Sequence, residues 1–159
     1  MSTRARWMGT RCLVSGCVMT LTLCAVASER RLERSALPAA VESTVKAQSQ
    51  GATIKGFSTE SEHGQKVYEA EMMVDGHTKD IQIAGDGTLN EIEEEVQFSA
   101  LPSAVQSALT AKAAGAKIVK VESLTKQGKL VAYEAATLKG SKKGEVQVGP
   151  NGGKLAHAE

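Results

Sequence analysis

Cysteine and tryptophan are nearly absent from this chain of 159 residues: three cysteines, Cys12, Cys17 and Cys24, and one tryptophan, Trp7, all lie near its start. That start reads as a secretory signal. Arg4, Arg6 and Arg11 form a positive beginning, Cys12 to Leu23 is apolar or small, and Ala25-Val26-Ala27 offers a cleavage site before Ser28. The apolar run falls short of the roughly 20 residues a membrane-spanning helix needs. Residues 1–27 are therefore read as a signal peptide and the mature chain as periplasmic or secreted. A lipoprotein anchored through Cys24 is the alternative, although Leu23 is not the small residue expected before a lipidated cysteine.

A chain starting at Ser28 has no thiol, so no disulfide can reinforce a thin core. Excess positive charge is missing as well. Without its three leading arginines the chain keeps 16 of its 19 basic residues against 18 acidic ones, a net of −2. Nucleic acid, which needs clustered Lys and Arg, is excluded as a partner.

The residues for common catalytic chemistry are scarce too. His63, His77 and His157 are scattered and give no zinc-binding spacing. Ser99 and Ser103 flank Pro102 without a nucleophile elbow and are read as helix caps. Gly149-Pro150-Asn151-Gly152-Gly153-Lys154 lacks the Ser or Thr that a phosphate loop places after its lysine, so it reads as a turn. No catalytic residue, cofactor or metal site is assigned, and no enzyme is expected.

What the chain does have is an internal echo. Ser35-Ala36-Leu37-Pro38 returns as Ser99-Ala100-Leu101-Pro102, and Ala40, Val41, Ser43, Ala47, Gly51, Ala52, Ile54 and Gly64 return at the same displacement, from Ala104 to Gly128. After a slip of one residue, Tyr68-Glu69-Ala70 meets Tyr133-Glu134-Ala135. The period is too long for a solenoid and suggests two copies of one small domain, at 35–98 and 99–159. Residues 28–34 read as a charged N-terminal tether.

Each copy opens with an amphipathic helix. Pro38 and Pro102 suit the first turn, Leu37, Val41 and Val45 or Leu101, Val105 and Leu109 form the apolar stripe, and Gly51 and Gly115 suit the end. Beyond each glycine the pattern alternates. It predicts strands at 53–61, 66–75, 78–84 and 88–98, then at 117–126, 129–139 and 144–149 with a remnant at 154–157, separated by glycine turns. The class is α+β: two tandem repeats, each a helix packed on its own antiparallel sheet of three to four strands. Because about 60 residues make a marginal domain, the copies are expected to share a core.

Leu-Pro-x-Ala-Val, the helix-ending glycine, Tyr-Glu-Ala and the late Asp-Gly or Asn-Gly turn together resemble the PepSY-like, beta-lactamase-inhibitor-like repeat of bacterial envelope proteins. The resemblance implies an exported non-enzymatic module that binds another protein, with inhibition of an envelope or secreted protease as the first alternative. Tyr68, Glu69, Tyr133 and Glu134, the side chains kept in both copies, are the candidate partner-binding surface. The glutamates are expected on a wet face, paired with lysines of neighbouring strands. The run Glu91, Glu93, Glu94 and Glu95 raises a second alternative, a structural or calcium-responsive envelope protein. It reads first as a solvated edge that discourages aggregation.

Overall fold

The structure is a computed structural model that describes residues 30–62 and 64–159. The segment read as a signal peptide, with its cysteines and Trp7, lies outside the described residues, as does His63. Short alternating segments closed by glycine turns fold, among the described residues, into eight strands: β1 (Arg30–Leu32), β2 (Thr53–Glu62), β3 (Gln65–Val74), β4 (His77–Ala84), β5 (Leu89–Glu95), β6 (Lys117–Lys126), β7 (Lys129–Lys139) and β8 (Lys142–Val148). Helix α1 (Ala39–Gln48) precedes β2 and α2 (Ser103–Ala113) precedes β6. Each helix follows a short 3-10 turn, Arg34–Ala36 or Phe98–Ala100.

The strands pair in chain order, every pair antiparallel, as one eight-stranded sheet. This overturns the expectation of an α+β fold of two tandem repeats with a sheet apiece: the described residues are mostly strand, in one sheet with two helices. β5 pairs with β6, Glu91 to Glu95 standing opposite Lys126 to Glu122, and Val96 N–H donates to Val121 O at 2.9 Å as the pairing runs out. The acidic strand is therefore interior, not an edge. The physical reason is that β5 alone would expose a row of unpaired N–H and C=O groups, and β6 satisfies them.

Opposed residues of an antiparallel pair share a face, which places both helices on the same side. Phe57, Ala70, Ile81 and Ile92 form one cross-strand row and pack with Val41 and Val45 of α1. Val121, Ala135 and Val146 form another and pack with Val105 and Leu109 of α2. A third row links the two clusters: Met72, Lys79, Glu94, Ser123, Tyr133 and Val148. Its middle members are polar, so the expected shared core is instead two apolar clusters on one sheet.

Smaller differences have local causes. Part of the charged lead-in is strand, because β1 pairs with β2 and Arg31 reaches Glu71 at 2.9 Å. β5 ends at Glu95, and Phe98 turns into the 3-10 segment beneath α2. Neither helix has a side-chain cap; Pro38 and Pro102 take the N-cap positions, which leaves Ser99 and Ser103 without that role. Residues 154–157 form no strand.

Two glycines bring a turn against each helix. Gly87 (φ +89) and Gly152 (φ +81) lie so close to the backbone that an added Cβ would stand 2.8 Å from Ala40 O and 2.6 Å from Ala104 O. Gly128 (φ +75) has open space around it. Gly87→Ala and Gly152→Ala are predicted to cost about 3 kcal/mol each, strain plus overpacking, against about 1 kcal/mol for Gly128→Ala. Urea unfolding of the three variants measures the difference.

Candidate functional site

The face without helices is where the polar chemistry collects. Strand alternation sends the odd-numbered residues of β3, the even-numbered residues of β4 and, beyond the bulge that turns Leu89 to the helix side, Glu91, Glu93 and Glu95 of β5 to this open face. Three cross-strand rows result. Ser58, Glu69, Gln82, Glu91 and Lys126 form the first; Gly56, Glu71, Asp80, Glu93, Leu124 and Ala132 form the second. Glu95, Glu122, Glu134 and Gln147 form the third. Two of these rows therefore set three carboxylates side by side, an arrangement that repels across a ladder.

Several partners offset the repulsion. Lys120 Nζ donates to Glu122 Oε1 at 2.7 Å, and Glu122 is buried, its side chain only 8% exposed. The Thr78 amide donates to Glu95 Oε2 at 3.1 Å. Lys126 lies 3.4 Å from Glu91 and 3.5 Å from Glu159, whose own amide donates to Gln147 Oε1 at 2.9 Å. The end of the described chain thus reaches from β8 across to β6 over this face.

The middle of the face is under-compensated. Burial, followed by the charges of Glu122, Glu91, Glu134 and Asp80, pushes the Glu93 carboxyl up to about 8. Asp80 is raised too, by burial first and then by Glu122 and Glu71. Burial also raises Glu134, although the Gln147 amide opposes the shift. Glu95 moves the other way, lowered by the Thr78 amide. Oxygens of Asp80, Glu93 and Glu122 come within 4.8 Å of one another. A cation already stands beside this group in the ammonium of Lys120, so the arrangement reads as carboxylates held by an internal counter-ion and by protons.

The four residues named from the sequence do not form one surface. Tyr68 is buried in the α1 cluster and Tyr133 packs against the α2 cluster, both on the helix side. Glu69 and Glu134, one residue along each strand, project from the open face. Glu69 accepts a hydrogen bond from Ser58 at 3.0 Å and Glu134 accepts one from Gln147. Where lysines were expected opposite them, the register places Ser58 and Gln82 beside Glu69, and Glu122 and Gln147 beside Glu134. The glutamate run is divided as well: Glu91, Glu93 and Glu95 share the open face, while Glu94 lies opposite Lys79 and Ser123 on the other.

Sequence reasoning missed Asp80 and Glu122. At the displacement that relates the two tyrosines Asp80 meets Glu145, a match left unused, whereas Glu122 stands where the first half has Ser58 and only its parity within β6 marks it as an open-face residue. His77 is exposed at the start of β4, and His157 is exposed 3.9 Å from Glu159. The Gly149–Lys154 segment is a turn closed by Gly149 N–H to Gly153 O at 2.8 Å. No nucleophile and base converge in any of these places.

Solved structures share this architecture. A BLIP-like protein from Bacteroides fragilis aligns with TM-score 0.56 at 22% identity, over 75% of this chain and 83% of its own. The fold is BLIP-like. A candidate periplasmic protein from Bacteroides eggerthii aligns with TM-score 0.60 at 17% identity, over 75% of this chain and 86% of its own. A DUF2874 family protein from Bacteroides ovatus gives TM-score 0.58 at 19% identity, over 75% and 84%. No protein-family model matches the sequence, and neither does any curated protein. At these identities the BLIP-like likeness is one of fold.

The pairing of Lys120 with Glu122 yields a prediction. Lys120→Met leaves a buried carboxylate without its counter-ion and is expected to cost about 3 kcal/mol, whereas Glu122→Gln, which removes the charge needing compensation, costs under about 1 kcal/mol. Chemical denaturation at neutral pH distinguishes the two.

Proposed function

We propose that the chain is an exported, non-catalytic protein-binding module of the bacterial cell envelope that meets its partner on the open face of the BLIP-like sheet. One observation carries this reading. Both helices cover the same side, which leaves the opposite side of a wide sheet with polar groups fixed in register around the buried Leu124 and Ala132. Such a surface supplies fixed hydrogen-bonding and charged groups at little ordering cost, because the strands already hold them in place. The signal-like segment supports export, and the Bacteroides eggerthii neighbour, described as a candidate periplasmic protein, agrees with that compartment. The PepSY-like motifs support the same assignment.

Inhibition of an envelope or secreted protease would be one use of the same face, and the test separates it from plain binding. A photo-crosslinking residue is placed at Gln82 on the open face, and in a second variant at the exposed Lys46 of α1. Crosslinks to a defined partner are expected from Gln82 and not from Lys46, with the partner's catalytic activity intact. Loss of activity in a crosslinked hydrolase would select the inhibitor reading. Equal crosslinking from Lys46 would contradict use of the open face.

A further inference from the structure

Carboxylates face carboxylates on both sides of β5, the strand that joins the two halves of the sheet. Asp80 of β4 stands opposite Glu93 of β5, and Glu95 of β5 stands opposite Glu122 of β6. Like charges directly opposed weaken a ladder. On the helix side the same joint is crossed by Lys79, Glu94 and Ser123, so no apolar contact in that row holds it together. The strand that makes the sheet continuous thus meets a facing carboxylate on each of its sides.

We propose that Asp80, Glu93 and Glu122 hold a proton among them across β4, β5 and β6, and that this proton fastens β5 to its two neighbours, so that its loss loosens the ladders on either side of β5 first. The oxygens of the three residues lie within 4.8 Å of one another. The surrounding charges leave a deficit. From β3, Glu71 faces Asp80 and is met by Arg31, while Glu69, bonded to Ser58, lines one hollow with Asp80, Glu93 and Glu60 of β2. Along β5, Glu91 is met by Lys126 and Glu95 by Thr78. From β6, Glu122 is met by Lys120. From β7, Glu134 adds a further negative charge, bonded to Gln147 of β8. The uncompensated charge falls on the facing pair Asp80 and Glu93, and a proton is the counter-ion that fits between them.

The direction of the effect follows from linkage. The Glu93 carboxyl is raised from its ordinary 4.5 to about 8 in the folded chain. Between those values the folded state binds more protons than the unfolded one, so stability falls as pH rises through that window and stays reduced above it. The switch runs on the protein alone and needs no partner. It therefore stands or falls separately from the proposed binding role.

Carbon-13 NMR of the glutamate and aspartate carboxyls, combined with hydrogen exchange, tests it on the exported chain. Glu93 is expected to titrate near 8, the value its surroundings impose. After correction for intrinsic exchange, protection of the amides that bond β5 to β4 and to β6 should fall by up to roughly tenfold per pH unit between about pH 6 and 8. Amides between β2 and β3, and between β7 and β8, should keep their protection. Glu93→Gln should make the joint's protection independent of pH over that range, and Asp80→Asn should reduce the dependence even if the first variant folds poorly. Ordinary carboxyl titration of Glu93 would overturn the proposal. Protection lost evenly along the sheet, or a Glu93→Gln protein that loosens as the natural one does, would overturn it too.

Discussion

The ladder between β5 and β6 is the constraint on which the architecture rests. Without it the chain would be two small sheets, each with a helix, joined at the Phe98–Ala100 turn and each close to the size at which burial scarcely offsets chain entropy. With it, edge groups of both halves are satisfied at once, leaving β1 and β8 as the sheet's edges. These ends are guarded differently. β1 is three residues long and carries Arg30 and Arg31, while Lys112 of α2 donates to the Gln147 carbonyl of β8 at 2.7 Å. Short, charged or capped edges discourage further strand addition.

A continuous register also determines where the charges go. Once β5 is fixed between β4 and β6, the alternation that directs Ile81 and Ile92 into the α1 cluster directs Asp80, Glu91, Glu93 and Glu95 to the open side. Those carboxylates then meet Glu122 and Glu134 of the following strands. The acidic face is thus a consequence of pairing, and the same pairing must withstand its repulsion. Fold, electrostatics and the proposed binding surface are linked through one strand.

Local patterns in the sequence account for much of this. The helices were legible because Val41, Val45, Val105 and Leu109 fall on one stripe behind a proline. Most strand limits were legible because glycine turns interrupt alternating runs. The odd-even placement of Tyr68 and Glu69 on opposite faces was legible too, although grouping them as one surface contradicted it. The β5–β6 pairing was not legible. Its partners are separated by a helix, and four glutamates in seven residues have the composition of an edge. β1 was missed because three residues with one apolar side chain carry no period. Asp80 and Glu122 have no local signal and meet only through register.

One sheet, joined at β5 and β6, makes the two halves a single cooperative body. The chain carries two tyrosines, Tyr68 in the α1 cluster and Tyr133 beside the α2 cluster, so fluorotyrosine labelling places one reporter in each half. Urea unfolding followed by fluorine NMR near neutral pH should show both signals leaving their native positions with the same midpoint and slope. Two separated transitions, with one tyrosine released while the other remains native, would contradict the account.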